Sequence, residues 1–228
     1  FGEHEGAPYL VMPYLPGGTL KQRLGQALHP LQAARLLAPI ADALAYAHGQ
    51  GVIHRDVKPA NILITQSGKP LLTDFGIARL LESQESHTLT GTGVGIGTPE
   101  YMAPEQGMGR EIDGRADVYA LGVVFYELVT GRKPYEADTP MAVVVKHLTE
   151  PLPRPRDFNP AVSEAAEQII FKAMAKEPAS RYQDMAQLES ALERLAEGRE
   201  TQPGPAPEAD DWAGQTGTLT VELGTGLK

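Results

Sequence analysis

Apolar residues recur along the chain with two different periods. Across residues 31–48, Leu36, Leu37, Ile40, Leu44 and Ala47 fall at helical spacing, and the glycines of 49–51 stop the run, which predicts an amphipathic helix. Pro39 lies inside it. An interior proline removes one backbone hydrogen bond and costs about 3 kcal/mol, which predicts a kink near Ala38. Residues 163–176 place Ala166, Ile169, Ile170, Ala173 and Met174 on one face, and residues 184–196 do the same with Met185, Leu188, Leu192 and Leu195. Both segments read as amphipathic surface helices. Residues 117–130 are apolar on every side apart from Glu127 and close with Gly131, and a helix apolar all round belongs in the middle of a core.

Shorter apolar runs mark strands. Residues 9–12 follow a Gly6/Pro8 turn and end at Pro13, with Pro16-Gly17-Gly18 beyond, which reads as a strand entering a connector. Residues 62–65 and 71–73 flank a turn at 66–70 and predict a hairpin. Residues 81–97 are rich in Ser, Thr and Gly without a period, the pattern of a loop. Beyond Gly198, with Pro203, Pro205, Pro207 and acidic residues, the chain has nothing periodic to bury and reads as a disordered linker. The order is a scrap of sheet, a helix, a hairpin, a loop and then several helices, an α+β arrangement. The chain opens at Phe1 inside a strand-turn-strand pattern with no signal segment, so it is expected to be a fragment.

Composition narrows the chemistry. With 228 residues, 42% of them hydrophobic, the chain suffices for one core plus a tail. A net charge of -9 argues against a nucleic-acid or anionic-lipid surface, so any phosphate-handling site is local. The absence of Cys excludes disulfides, thiolate nucleophiles and Cys-based zinc sites. The longest apolar run, 121–129, is interrupted by Glu127 and falls well short of the roughly 18 residues of a membrane span. The expected location is cytoplasmic, including the cytoplasmic part of a membrane-anchored parent.

Between the long helix and the hairpin stands His54-Arg55-Asp56-Val57-Lys58-Pro59-Ala60-Asn61, a dense set of ionisable and amide groups just before a buried strand. Taken alone it is a polar turn. At the far end of the hairpin comes Asp74-Phe75-Gly76, so the hairpin returns Asp74 toward Asn61. Two oxygen ligands so placed suit Mg²⁺, which takes a carboxylate or two together with substrate phosphates.

These two motifs resemble the catalytic loop and metal-binding triplet of protein kinases, and the likeness extends over residues 9–196. Gly97-Thr98-Pro99-Glu100-Tyr101-Met102-Ala103-Pro104-Glu105 resembles the close of the activation loop, Asp117 opens the buried central helix, and Arg181 stands where the family pairs an Arg with the Glu at 105. The resemblance implies a protein-kinase-like fold: a remnant of the N-terminal lobe sheet and hinge at 1–15, a mainly helical C-terminal lobe at 16–197, and a Pro/Gly-rich acidic linker at 198–228. It implies ATP and Mg²⁺ as cofactors. Asp56 would accept the proton of a Ser or Thr hydroxyl, Lys58 would neutralise charge on the moving phosphoryl group, and Asn61 and Asp74 would be the metal ligands. Lys58 two residues after Asp56 is the Ser/Thr rather than the Tyr pattern.

The same register puts Met12 at the gatekeeper position, the Pro13 carbonyl and the Leu15 backbone against the adenine edge, and Leu63 beneath the ring. Without that register, Met12 and Leu63 are ordinary core residues. Arg55 before Asp56 marks family members whose activation loop is ordered by phosphorylation, with Thr88, Thr90 and Thr92 as candidate sites. Thr98 matches the Thr that bonds the catalytic Asp and Lys; Glu105, Arg181, Asp117, and His54 with Phe75 would be structural. Ile77 leans the acceptor preference toward Thr.

The family's Gly-rich loop, strand Lys and partner Glu would all precede Phe1, so weak nucleotide affinity and little transfer are expected of these residues alone, with a bare apolar patch around Met12, Leu63 and Phe75. The favoured reading is a bacterial kinase of eukaryotic-like type, acting on protein substrates and open to dimerising for trans-autophosphorylation. The alternative is a kinase-derived scaffold that binds partners without catalysis, against which stand intact Asp56, Lys58, Asn61 and Asp74.

Overall fold

A computed structural model describes residues 2–4, 7–9, 11, 13–75 and 98–199. Met12, Ile77, Thr88, Thr90, Thr92 and nearly all of the expected linker lie outside them. Helix α1 (Pro30–Gly49) starts on a proline, whose missing N–H would be unpaired there anyway, and His29 Nδ1 accepts from the Leu31 N–H at 3.3 Å. It runs through Pro39 as one uninterrupted element. Arg35, whose carbonyl loses its partner to the proline ring, lies with Pro39 on the exposed face of the helix.

Two short helices, α2 (Pro104–Gly107) and α5 (Pro155–Phe158), flank the segment containing α3 (Arg115–Thr130) and α4 (Pro140–Thr149). Every residue of α3 between Ala116 and Val129 is buried, which makes it the axis of the core. It stops at Gly131, whose φ of 74° is the left-handed conformation that closes helices. Helix α6 (Glu164–Ala173) is capped by Ser163 and α7 (Met185–Ala196) by Asp184, and each buries the apolar face read from its sequence. α7 lies along α1, where Arg35 Nε reaches the Ala196 carbonyl at 3.2 Å. The sequence pattern missed α4. Its β-branched run Val143-Val144-Val145 lacks a clear helical signature, and the helix is set instead by Pro140 in its first turn and Thr139 capping the Ala142 N–H at 3.2 Å.

Two hairpins complete the fold. Strands β1 (Gly2–His4) and β2 (Ala7–Tyr9) pair antiparallel with Gly2 opposite Tyr9, and β3 (Ile62–Ile64) and β4 (Pro70–Leu72) pair with Ile62 opposite Leu72. Of the strand expected over 9–12, residues 10 and 12 lie outside the described residues, Tyr9 ends β2 and Val11 is 75% exposed.

Tyr126, in the middle of α3, has a buried hydroxyl with no hydrogen-bond partner among the described residues. Removing an unsatisfied buried hydroxyl saves its desolvation penalty, so Tyr126→Phe is expected to raise the unfolding free energy by about 1 kcal/mol, read as a higher midpoint in denaturant. A lower midpoint would mean that the hydroxyl has a partner.

His147 on α4 is fully enclosed: its Nε2–H donates to the Glu100 carbonyl at 3.0 Å, and its Nδ1 accepts from the Tyr119 hydroxyl at 2.8 Å. Burial, and then the neighbouring Lys176 ammonium, push its pKa down to about 4. The unfolded chain takes up this proton at its ordinary value and the folded one does not, so the stability at issue is complete above the ordinary His pKa. It drains away as pH falls toward 4. Acid titration of the unfolding free energy should therefore be flatter in His147→Gln than in the wild type, by up to roughly 3 kcal/mol. Parallel curves would place the His147 proton on the folded protein.

Candidate active site

The loop between α1 and β3 is fixed by a carboxylate from the core. Asp117, 1% exposed in the first turn of α3, accepts the His54 N–H on Oδ2 and the Arg55 N–H on Oδ1, each at 2.8 Å. His48 Nε2, from the end of α1, meets the same Oδ2 at 2.7 Å. This holds Arg55 at φ 66°, a left-handed conformation that a non-glycine residue adopts at a cost of about 1–3 kcal/mol. Asp74, at φ 58°, is the one other described non-glycine residue so placed. Both strained residues neighbour the proposed chemistry.

His54 is fully buried and both its ring nitrogens are engaged. Nε2–H donates to the Thr73 carbonyl at 3.0 Å, leaving Nδ1 to accept the Asp56 N–H at 3.3 Å, and the ring packs on Phe75 with centroids 4.7 Å apart. It is a packing residue that ties the loop to the end of β4.

Asp56 Oδ2 lies 2.7 Å from Lys58 Nζ, which also donates to Thr98 Oγ1 at 2.8 Å. Asn61 Nδ2 donates to Asp56 Oδ2 at 3.1 Å and to the Asp56 carbonyl at 2.9 Å. That leaves Asn61 Oδ1 without a donor among the described residues. The Thr73 N–H bonds the Asn61 carbonyl at 2.9 Å, which brings the chain at Asp74 back beside Asn61. An amide oxygen and an exposed carboxylate are hard donors of the kind Mg²⁺ takes, so this pair fits the ion; no cluster of three His, Cys, Asp or Glu exists among the described residues.

A small pocket opens beside Asp56, lined by Arg55, Val57, Thr98, Tyr101, Met102 and Gln106. Its floor is anchored below. Tyr101 donates to the buried Glu127 at 2.6 Å, and burial raises the Glu127 pKa. Lys133 pairs with Glu100 at 2.8 Å. Glu105 takes a two-pronged ion pair from Arg181 at 2.7 Å on each oxygen. The other Arg181 donors go to the carbonyls of Ala175, Arg115 and Lys176, so all five are used.

The connector lies across β3. A side chain on Gly17 would start 2.0 Å from the Ile64 carbonyl oxygen, so only glycine allows this approach, and the Gly18 carbonyl accepts the Ile64 N–H at 2.8 Å. Leu63 is half-buried there, bridged to Thr19, while Pro13 is exposed and Leu15 half-buried. Tyr9, Val11 and Tyr14 leave large apolar surfaces open nearby. The Arg55 guanidinium pairs with no acid among the described residues.

Sequence reasoning singled out Asp117 but missed two residues that work with it. His48 reads as the last polar residue of a helix, and only the fold brings it to Asp117. Gln106 carried a local signal, since it stands three residues after Ala103 at the start of a helix opening on Pro104, the spacing at which a Gln caps a helix.

Comparison with known proteins agrees with this geometry. The model of the protein kinase domain matches residues 1–192. Serine/threonine-protein kinase Pkn1 of Myxococcus xanthus is 44% identical over 207 residues, covering 86% of this chain and 30% of its own length. Serine/threonine-protein kinase PknB of Mycobacterium leprae is 40% identical over 204 residues, 88% of this chain and 32% of its own. Serine/threonine-protein kinase PrkC of Bacillus subtilis is 39% identical over 193 residues, 84% of this chain and 29% of its own. The chain thus spans under a third of the length of these relatives. With a family model over most of its length and the helical lobe, paired hairpin and loop just described, the chain belongs to the protein kinase domain family.

Proposed function

We propose that the chain supplies the C-terminal lobe and hinge of a Ser/Thr protein kinase that transfers the γ-phosphoryl group of ATP to protein hydroxyls. The observation that carries this reading is the bridge from Asp56 through Lys58 Nζ to Thr98, 2.7 and 2.8 Å long, beside an open pocket. Phosphoryl transfer asks little covalent chemistry of a protein and much positioning, and these groups are held by one another and by the side chains of Asn61 and Thr98. Asp56 orients the acceptor hydroxyl and takes its proton as the oxygen bonds to phosphorus. Lys58 offsets charge on the phosphoryl oxygens while the bond to the leaving diphosphate breaks.

Asn61 Oδ1 and the Asp74 carboxylate are the groups that would hold Mg²⁺, which when bound offsets the charge of the nucleotide phosphates. Pro13 and Leu15 offer backbone groups to the adenine edge, with Leu63 below it, and Met12 stands at the gatekeeper position. Protein Thr is the preferred acceptor on the strength of Ile77, and Arg55, free of an acidic partner among the described residues, would pair with a phosphate on Thr88, Thr90 or Thr92. No helix among the described residues is long and apolar enough to cross a membrane. The 228 residues hold no Gly-rich loop with a strand Lys ahead of Asp56, so transfer by them alone is expected to be weak.

The test uses the parent polypeptide. With MgATP and a Thr-containing acceptor it should transfer phosphate, and Asp56→Asn and Asp74→Asn should each lower the rate by about 10²- to 10⁴-fold at unchanged unfolding midpoint. Undiminished transfer by Asp56→Asn would remove the proposed base; no transfer by the wild type would favour a binding role.

A further inference from the structure

Gln106 uses both ends of its amide. Oε1 accepts the Ala103 N–H at 3.0 Å, and Nε2 donates to the Arg55 carbonyl at 3.0 Å. An N–H only donates and a carbonyl only accepts, so turning the amide over would set both contacts in opposition. Its orientation is therefore fixed.

The carbonyl it grips belongs to the residue held at φ 66°. Asp117 secures Arg55 from the N–H side at 2.8 Å, and Gln106 secures it from the carbonyl side. The second of these peptide units is the one that joins Arg55 to Asp56, so its plane sets the direction in which the Asp56 side chain leaves the backbone. Strained backbone persists only where its surroundings over-determine it, and here two clamps act on successive peptide units. Helix α2, which carries Gln106, is in turn fastened through Glu105 to Arg181, so the clamp is mounted on the buried core.

We propose that Gln106 is a positioning residue for phosphoryl transfer, acting through the Arg55 carbonyl to aim Asp56. The role rests on the kinase reading above. Half-buried and on the pocket wall, Gln106 also has an obvious competing role as an acceptor contact, and the two roles differ in which kinetic constant they move.

Two variants in the parent polypeptide separate them. Gln106→Glu keeps an oxygen for the Ala103 N–H and loses the donor to Arg55; Gln106→Met keeps the length and loses both. Each is expected to lower kcat roughly tenfold, as for a small misplacement of a reacting group, with KM for ATP and for the acceptor unchanged. Amide hydrogen exchange over 54–57 should quicken in both while the unfolding midpoint of Gln106→Glu holds. Unchanged kcat, a rise confined to the acceptor KM, or a loss of kcat no larger than the loss of folded protein would each overturn the role. Wild-type transfer abolished by Asp56→Asn, run in parallel, shows whether the kinase reading itself stands. If it stands and both Gln106 variants match the wild type, only the positioning role falls.

Discussion

The buried carboxylate of Asp117 is the contact on which the geometry of the site depends. It sits at the start of the one helix enclosed on every side, and it spends its oxygens on two consecutive backbone N–H groups, those of His54 and Arg55. Backbone bonds act on the path of the chain rather than on any one side chain. The loop is held in a left-handed turn at Arg55, and the rigidity of α3 passes directly to the residue beside Asp56. A carboxylate buried to 1% exposure would be expensive alone; two N–H donors and His48 satisfy it.

The pair of Glu105 and Arg181 does comparable work on the other wall of the pocket. Buried ion pairs add little net stability, because the desolvation of both ions offsets their attraction, yet loss of one partner strands the other at a cost of about 3–5 kcal/mol. The value of this pair lies in placement. Arg181 donates to Glu105 and to three backbone carbonyls at once, so it ties α2, the start of α3 and the loop after α6 at a single point. Residues 98–106 are thereby set against the same core that sets the loop around Asp56. Lys58, reaching from one wall to Thr98 on the other, closes the frame.

Much of this was legible in the sequence because the signals were either periodic or dense. The period of 3.6 gave α1, α6 and α7, the all-round apolar run gave α3, and two short apolar runs about a turn gave β3 and β4. The motif at 54–61 and the triplet at 74–76 gave the groups that the fold brings together at Asp56, Lys58 and Asn61. What escaped had local signals of the wrong kind. Val143 to Val145 favour a strand by composition, and a proline and a capping threonine made α4 instead. His48 meets the Asp117 carboxylate and Gln106 the Arg55 carbonyl, both far along the chain, and although the capping contact of Gln106 had a local signal, a hydrogen bond between distant segments leaves none.

The orientation of Asn61 ties the two halves of the proposed chemistry together. Its Nδ2 donates to the Asp56 carboxylate and to the Asp56 carbonyl, so the side-chain atom left without a partner among the described residues is Oδ1. An aspartate at this position would turn a second carboxylate toward Asp56 at about hydrogen-bonding distance, and two carboxylates so close force one of them to hold a proton. The amide avoids that conflict, giving a donor on the side of Asp56 and leaving an acceptor on the side of the proposed metal position. The amide thus couples the Asp56 carboxylate to the proposed ligand atom, and neither contact can be altered at residue 61 without disturbing the other.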